Sequence, residues 1–151
     1  MFWENKKVLV TGGGGFIGTN LTKRLIGIGS IVRVVDNFER GGMKNLTSIK
    51  NSIEIINGDL RMKDVCFDAC EGVDMIFHLA SKVGGIGYYI ECPADVIMQN
   101  LMIDIQMLEA ARKCKVAHYL YASSAYVYPL ERMQDPSSAP LSEEEAIPAN
   151  P

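Results

Sequence analysis

No apolar run in this sequence approaches the ~20 residues that span a bilayer, which excludes a membrane-crossing helix. Positive charge is not in excess either. Fifteen Lys and Arg against 18 Asp and Glu leave a net charge of −3, which gives no general attraction to nucleic acid or anionic membrane. Cysteine is scarce, with four residues and no Cys-x-x-Cys. Cys66 and Cys70 stand at i,i+4 spacing, while Cys92 and Cys114 stand alone. The only histidines, His78 and His118, lie in apolar strand-like runs rather than at zinc spacing. Reduced, structural thiols and no metal are expected. Glu4, Lys6 and Lys7 leave no room for a secretory apolar region, so a cytoplasmic setting is expected.

What remains is ordinary for a globular protein: 48% hydrophobic and 22% charged residues over 151 positions, enough to bury one core. Glycine is the exception. Four of the 14 glycines are consecutive, in Val8-Leu9-Val10-Thr11-Gly12-Gly13-Gly14-Gly15-Phe16-Ile17-Gly18. A short β-branched run, a glycine turn and an apolar-periodic segment read as strand, tight turn and helix. Without Cβ atoms such a turn lets a pyrophosphate approach the backbone, and the first helical turn offers N–H groups to the anion.

The alternation continues along the chain. Phe16 to Ile28 has helical spacing, and Ile31 to Asp36 reads as a buried second strand. Met43 to Lys50 has room for a short helix, and Ile53 to Asn57 reads as a third strand. A helix from Met62 to Cys70 precedes a fourth strand, Met75 to Ala80. A glycine-rich, aromatic loop follows from Ser81 to Glu91. Pro93 opens the longest helix, Pro93 to Lys113, on which Val96, Ile97, Leu101, Ile105, Leu108 and Ala111 keep helical spacing. Val116 to Ala122 reads as a fifth strand, and no periodicity survives after Tyr128. This pattern predicts an α/β fold, a Rossmann-like doubly wound parallel sheet of five strands in the order 3-2-1-4-5. Residues 1–128 form the dinucleotide-binding domain in this reading, and 129–151 a loop or tail.

The candidate site follows the carboxyl ends of the strands. The glycines satisfy both Gly13-x-Gly15-x-x-Gly18 and Gly12-x-x-Gly15-x-x-Gly18, and Asp36 stands roughly twenty positions further on at the end of the second strand. Its carboxylate suits the two hydroxyls of an adenosine ribose and repels a 2′-phosphate, which favours NAD over NADP; Arg40 is placed to soften that preference. Asp59 and Leu60 follow the third strand where an adenine ring would sit. Leu79, Ala80 and Ser81 end the fourth strand, with small residues that leave room for a ribose. Ser123 and Ser124 follow the fifth strand, where a hydroxyl can bond a substrate oxygen but also suits a simple turn or cap.

Thr11-Gly12-x-x-Gly15-Phe16-Ile17-Gly18, Asp36-Asn37-Phe38-x-Arg40-Gly41, Gly58-Asp59-Leu60, His78-Leu79-Ala80 and Ser123-Ser124-Ala125-x-Val127-Tyr128 occur in that order. Together they resemble the extended short-chain dehydrogenase/reductases, the NAD-dependent epimerases and dehydratases of nucleotide sugars, over nearly the whole chain. The stretch from Ser81 to Gly87, with Cys92-Pro93-Ala94-Asp95, Gln99-Asn100 and Pro129, is similar to the family's GDP-sugar epimerases and synthases. The resemblance implies that Gly12, Gly15, Phe16, Ile17 and Gly18 cradle the pyrophosphate, with Asn37 and Arg40 beside Asp36. It implies a catalytic hydroxyl on Ser124, and substrate contacts from Lys82, Gly84, Gly85, Ser123 and Tyr126. It also implies hydride transfer that gives a keto-sugar intermediate, and a homodimer through the Pro93–Lys113 helix.

Two departures bear on activity. The GDP-sugar enzymes carry a proton-transferring cysteine in the Ser-Ser motif, which in the epimerase pattern falls where Tyr126 stands, and a phenol is far less acidic than a thiol. The family also uses a Tyr-x-x-x-Lys pair as acid/base. None of Tyr88, Tyr89, Tyr119, Tyr121, Tyr126 or Tyr128 has lysine four residues later. The expectation is the N-terminal part of a longer enzyme, lacking the C-terminal substrate region, able to hold NAD but with little or no turnover. A non-catalytic NAD-binding sensor or docking module is the alternative, and an α/β domain with a fortuitous glycine turn a third.

Overall fold

The structure, a computed structural model, describes residues 2–124, 127–129, 132, 137 and 140–146. The chain forms two compact units, Met1–Tyr121 and Ala122–Pro151. In the first, β1 (Lys7–Thr11), β2 (Ile31–Asp36), β3 (Ile53–Asn57), β4 (Met75–His78) and β5 (His118–Tyr121) form one parallel sheet in the order β3-β2-β1-β4-β5. The helices are α1 (Phe16–Gly27), α2 (Lys63–Cys70), α3 (Ile86–Glu91) and α4 (Pro93–Lys113). The doubly wound sheet and its strand order are those read from the sequence. In the second unit, Glu143–Ala146 form a 3-10 turn and Arg132 Nε donates to Glu145 Oε1 at 2.5 Å.

Strand alternation sorts the core into two layers. Val8 and Val10 of β1 pack with Val32, Val34 and Leu25, whereas Leu9 packs with Val35, Ile76, Cys66, Cys70 and Met107. Both faces of β1 are therefore apolar, as a central parallel strand requires. Burial pushes the Cys66 and Cys70 thiols up to about 12, so both stay protonated. Arg33 closes the end of α2 by donating Nη1 to the carbonyls of Asp68, Ala69 and Glu71, where the helix dipole favours a cation.

Several element boundaries differ from those read in the sequence. The loop read from Ser81 to Glu91 contains α3, too short for a periodicity signal. Strands β4 and β5 stop at His78 and Tyr121, two residues and one residue before the ends read from sequence. On α4 the apolar positions divide between two faces. Val96, Ile103, Met107, Ala110 and Ala111 are buried, while Ile97, Leu101, Ile105 and Leu108 are half exposed or more. Of the positions read from the spacing, Val96 and Ala111 thus belong to the core face, and Ile97, Leu101, Ile105 and Leu108 to an outer stripe.

The turn between β1 and α1 is the tightest point of the unit. Gly12 has φ +66, and a Cβ on Gly18 would lie 2.3 Å from the Gly12 carbonyl oxygen. No flexible atom stands there to move aside. Gly27, at the other end of the same helix, has nothing within 4 Å of its Cβ position. Gly18→Ala should therefore lower unfolding free energy by about 1–3 kcal/mol. Gly27→Ala should raise it by about 0.4–1 kcal/mol through the unfolded chain. Urea denaturation of the two variants measures the opposite signs directly.

Candidate functional site

The carboxyl ends of β1 to β4 open onto a cleft of about 210 Å³, at the topological switch between β1 and β4. Its lining includes Gly12, Gly15, Asp36, Asn37 and Arg40 from the first two strand ends. Asp59 and Leu60 enter after β3, and Leu79, Ala80, Ser81 and Lys82 after β4. Eleven of the residues singled out in the sequence thus share one concavity, although they come from four strand ends. Phe16, Ile17, Gly18, Gly84 and Gly85 lie outside its lining. The Phe16 and Ile17 side chains are exposed, and Gly18 is buried against Gly12. Gly84 needs its missing Cβ locally, because one would meet the Tyr88 ring at 2.3 Å; Gly85 precedes α3 as its cap.

Ser123 and Ser124 are exposed and belong to the second unit, where the Ser124 carbonyl accepts the Val127 N–H at 3.2 Å. Tyr126 lies outside the described residues.

Three features of the cleft suit a dinucleotide. The glycine turn presents backbone without side chains, and no side chain caps the start of α1, a helix end whose first-turn N–H groups suit an anion. Asp36 is fixed by backbone donors, the Gly14 N–H at 2.9 Å to Oδ2 and the Phe38 N–H at 2.7 Å to Oδ1. Each oxygen keeps a second lone pair for a diol. Across the floor, the buried Thr11 hydroxyl accepts the Leu79 N–H at 3.0 Å and the Ala80 N–H at 2.9 Å. This ties the end of β4 to the glycine turn.

Several lining residues were not singled out in the sequence. Arg61 donates Nε to both oxygens of Asp59 at 2.9 Å, pairs through Nη2 with Oδ2, and donates Nη1 to Gln99 Oε1 at 2.5 Å. That guanidinium holds the Asp59 carboxyl below the usual carboxylate range, against the opposing effect of burial. Glu39 accepts from Lys82 Nζ at 2.8 Å, and Arg40 Nη1 donates to the Val83 carbonyl at 2.5 Å. The loops after β2 and β4 are thereby joined across the mouth. Asn100 holds the β4 loop from α4 by accepting from the Lys82 N–H and Ser81 Oγ. Gln99 and Asn100 stood in the sequence only as part of the likeness to the GDP-sugar enzymes, with no role given; Glu39 and Arg61 carried no sequence signal for a shared site.

A second hollow of about 300 Å³ lies at the amino ends of the strands, where Arg33 Nε pairs with Glu54 Oε2 at 2.8 Å. Among the described residues no helix is long and apolar enough to cross a membrane, and no cluster of His, Cys, Asp or Glu is arranged to hold a metal.

Residues 8–151 match the model of the NAD dependent epimerase/dehydratase family. GDP-mannose 3,5-epimerase of Arabidopsis thaliana is 34% identical over 152 residues, covering 99% of this chain and 40% of that protein. UDP-glucuronic acid decarboxylase 1 of the same plant is 35% identical over 130 residues, covering 85% of this chain and 29% of that one. The Thermus thermophilus UDP-glucose 4-epimerase, solved as a complex with NAD, superposes with a TM-score of 0.76 at 26% identity, covering 92% of this chain and 43% of that one. The chain thus spans two fifths or less of the length of these two relatives.

The Arg61 bridge makes a prediction about acid. Arg61→Met should lower stability at neutral pH by about 1–3 kcal/mol, since it removes charge-assisted bonds and leaves Asp59 without its partner. Asp59 has a depressed folded pKa, so its contribution is present above the unfolded value of ~3.9 and is lost as pH falls through the lower folded value. The stability difference between Arg61→Met and the parent should therefore shrink as acid is added. Urea titrations at neutral pH and near pH ~3 test this.

Proposed function

Because the chain belongs to the NAD dependent epimerase/dehydratase family, we propose that it is the NAD-binding part of an enzyme that acts on a nucleotide sugar. The observation that carries this reading is the convergence of Gly12, Gly15, Asp36, Asp59 and Ala80 on one cleft at the sheet's switch point. Bound NAD supplies a hydride acceptor. The chain's own residues bind and orient it. The uncapped N–H groups of Phe16, Ile17 and Gly18 face the pyrophosphate, and Asp36 accepts from the adenosine ribose hydroxyls. Asp59 and Leu60 flank adenine, while Asn37, Leu79, Ala80 and Ser81 line the rest.

NAD is favoured over NADP because the Asp36 carboxylate, held by the Gly14 and Phe38 N–H groups, repels a 2′-phosphate. Arg40, four positions on, donates Nη1 to the Val83 carbonyl.

On the substrate side, Ser124 is the proposed catalytic hydroxyl, bonding the sugar oxygen whose carbon loses hydride to form a keto-sugar. Lys82, Gly84, Gly85, Ser123 and Tyr126 are the proposed substrate contacts. A GDP-sugar is favoured by the stretch from Ser81 to Gly87 and by the named activity of one relative. The chain has no Tyr-x-x-x-Lys, so it is expected to bind cofactor with little or no turnover alone. The division into a cofactor domain over 1–128 and a tail over 129–151 belongs to the same reading. The similarity to enzymes favours this over a non-catalytic sensor. The exposed stripe Ile97, Leu101, Ile105 and Leu108 supports a homodimer through α4.

Calorimetry with NAD should give one site per chain, weakened about 10–100-fold by Asp36→Ala through two lost charge-assisted bonds. Absent binding, or binding indifferent to Asp36→Ala, contradicts the reading. Mixed with NAD and a GDP-sugar, the chain alone should produce no reduced-nicotinamide absorbance. Leu101→Glu should convert a sedimenting dimer to monomer.

A further inference from the structure

His78 is 2% exposed at the end of β4 and has no part in the proposed function so far. Its ring lies between two polar partners. Nδ1 is 2.9 Å from Thr11 Oγ1, and Nε2 is 3.1 Å from Asp104 Oδ1 on α4. The Thr11 hydroxyl has one proton and two lone pairs, and both lone pairs are taken by the Leu79 and Ala80 N–H groups. Its proton is therefore directed to Nδ1, which must be bare. The ring proton then sits on Nε2 and is donated to Asp104, whose other oxygen accepts from the Tyr121 hydroxyl at 2.8 Å.

We propose that His78, as the neutral Nε2–H tautomer, is a positioning residue for the cofactor turn. By taking the Thr11 proton it leaves that oxygen free to hold the Leu79 and Ala80 N–H groups. Those residues line the cleft, and a Cβ on Gly12 would lie 3.0 Å from the Ala80 nitrogen, so the turn and the β4 end are in backbone contact. An imidazolium would place a second proton on Nδ1, reverse that bond, and compete with one of the two amides for Oγ1. The ionisable groups facing the ring are Asp104 from α4 and the Tyr119 and Tyr121 phenols from β5; β1 contributes the neutral Thr11. Burial disfavours the charged ring more than Asp104 favours it, which keeps His78 neutral below its ordinary range. The inference rests on the NAD reading for its consequence, but not for its geometry.

Two measurements keep these apart. Long-range proton–nitrogen correlation on the labelled chain should show His78 protonated at Nε2 and bare at Nδ1; a proton on Nδ1 overturns the proposal. His78→Asn places an acceptor where Nδ1 stood, whereas His78→Gln reaches only toward Nε2. Amide exchange at Leu79 and Ala80 should accelerate in His78→Gln at least tenfold more than in His78→Asn, whether or not NAD binds. By calorimetry, His78→Gln should lose NAD affinity about tenfold and His78→Asn about threefold at most, even if both melt earlier. Thr11→Val should resemble His78→Gln. Parent affinity should weaken as pH falls through the depressed folded value, below ~6.5, and the His78→Asn profile should stay flat there. Equal exchange and affinity losses in the two His78 variants, in step with their loss of stability, overturn the proposal. Failure of the parent to bind NAD overturns only the cofactor reading.

Discussion

The close passage of Gly18 over the Gly12 carbonyl constrains everything above it. With a Cβ at residue 18 only 2.3 Å from that oxygen, α1 cannot start where it does in any other residue's company. Gly12 in turn packs against the Ala80 backbone, so β1, α1 and β4 meet at one point. Thr11 sits under that junction, and its hydroxyl satisfies two amides that burial would otherwise leave unpaired. The result is a turn made almost wholly of backbone, with N–H groups aimed outward at the place where β1 separates its two neighbours.

Most of the cations over this turn are hydrogen-bonded to neighbouring side chains or backbone. Arg61 is committed to Asp59 and Gln99, Lys82 to Glu39, and Arg40 to the Val83 carbonyl. The Lys82–Glu39 pair is partly exposed, at 31% and 47%, and such pairs contribute ~0–1 kcal/mol. Joining the loops after β2 and β4 therefore costs little to undo, and the mouth yields readily to a ligand. The floor behaves differently, since Thr11 and His78 are buried and their bonds are not screened by water.

The sheet was legible because each strand is a short β-branched or apolar run ending in a turn residue, and because strands that alternate with helices leave few parallel topologies. The cleft was legible at the positions where a residue type is demanded by conformation or charge, such as Gly12, Asp36 and Asp59. The two faces of α4 were not. Apolar periodicity finds a stripe but does not say what covers it, and here Ile97, Leu101, Ile105 and Leu108 are the outer stripe while Ile103 and Met107 enter the core. The Arg61–Gln99 bond escaped for a related reason, since it joins a strand end to a helix 38 positions away. His78 read as a strand residue in an apolar run; its role depends on which nitrogen carries the proton, and that follows only from the Thr11 partners.

That this cleft holds NAD along the strand ends is checked by amide shift mapping during an NAD titration. Saturable shifts should concentrate at Gly12 to Gly18, at Asp36 and Asn37, at Asp59 and Leu60, and at Leu79 to Ser81. Shifts centred instead on the amino ends of the strands, around Val32 and Ile53, or no saturable shifts at all, would contradict it.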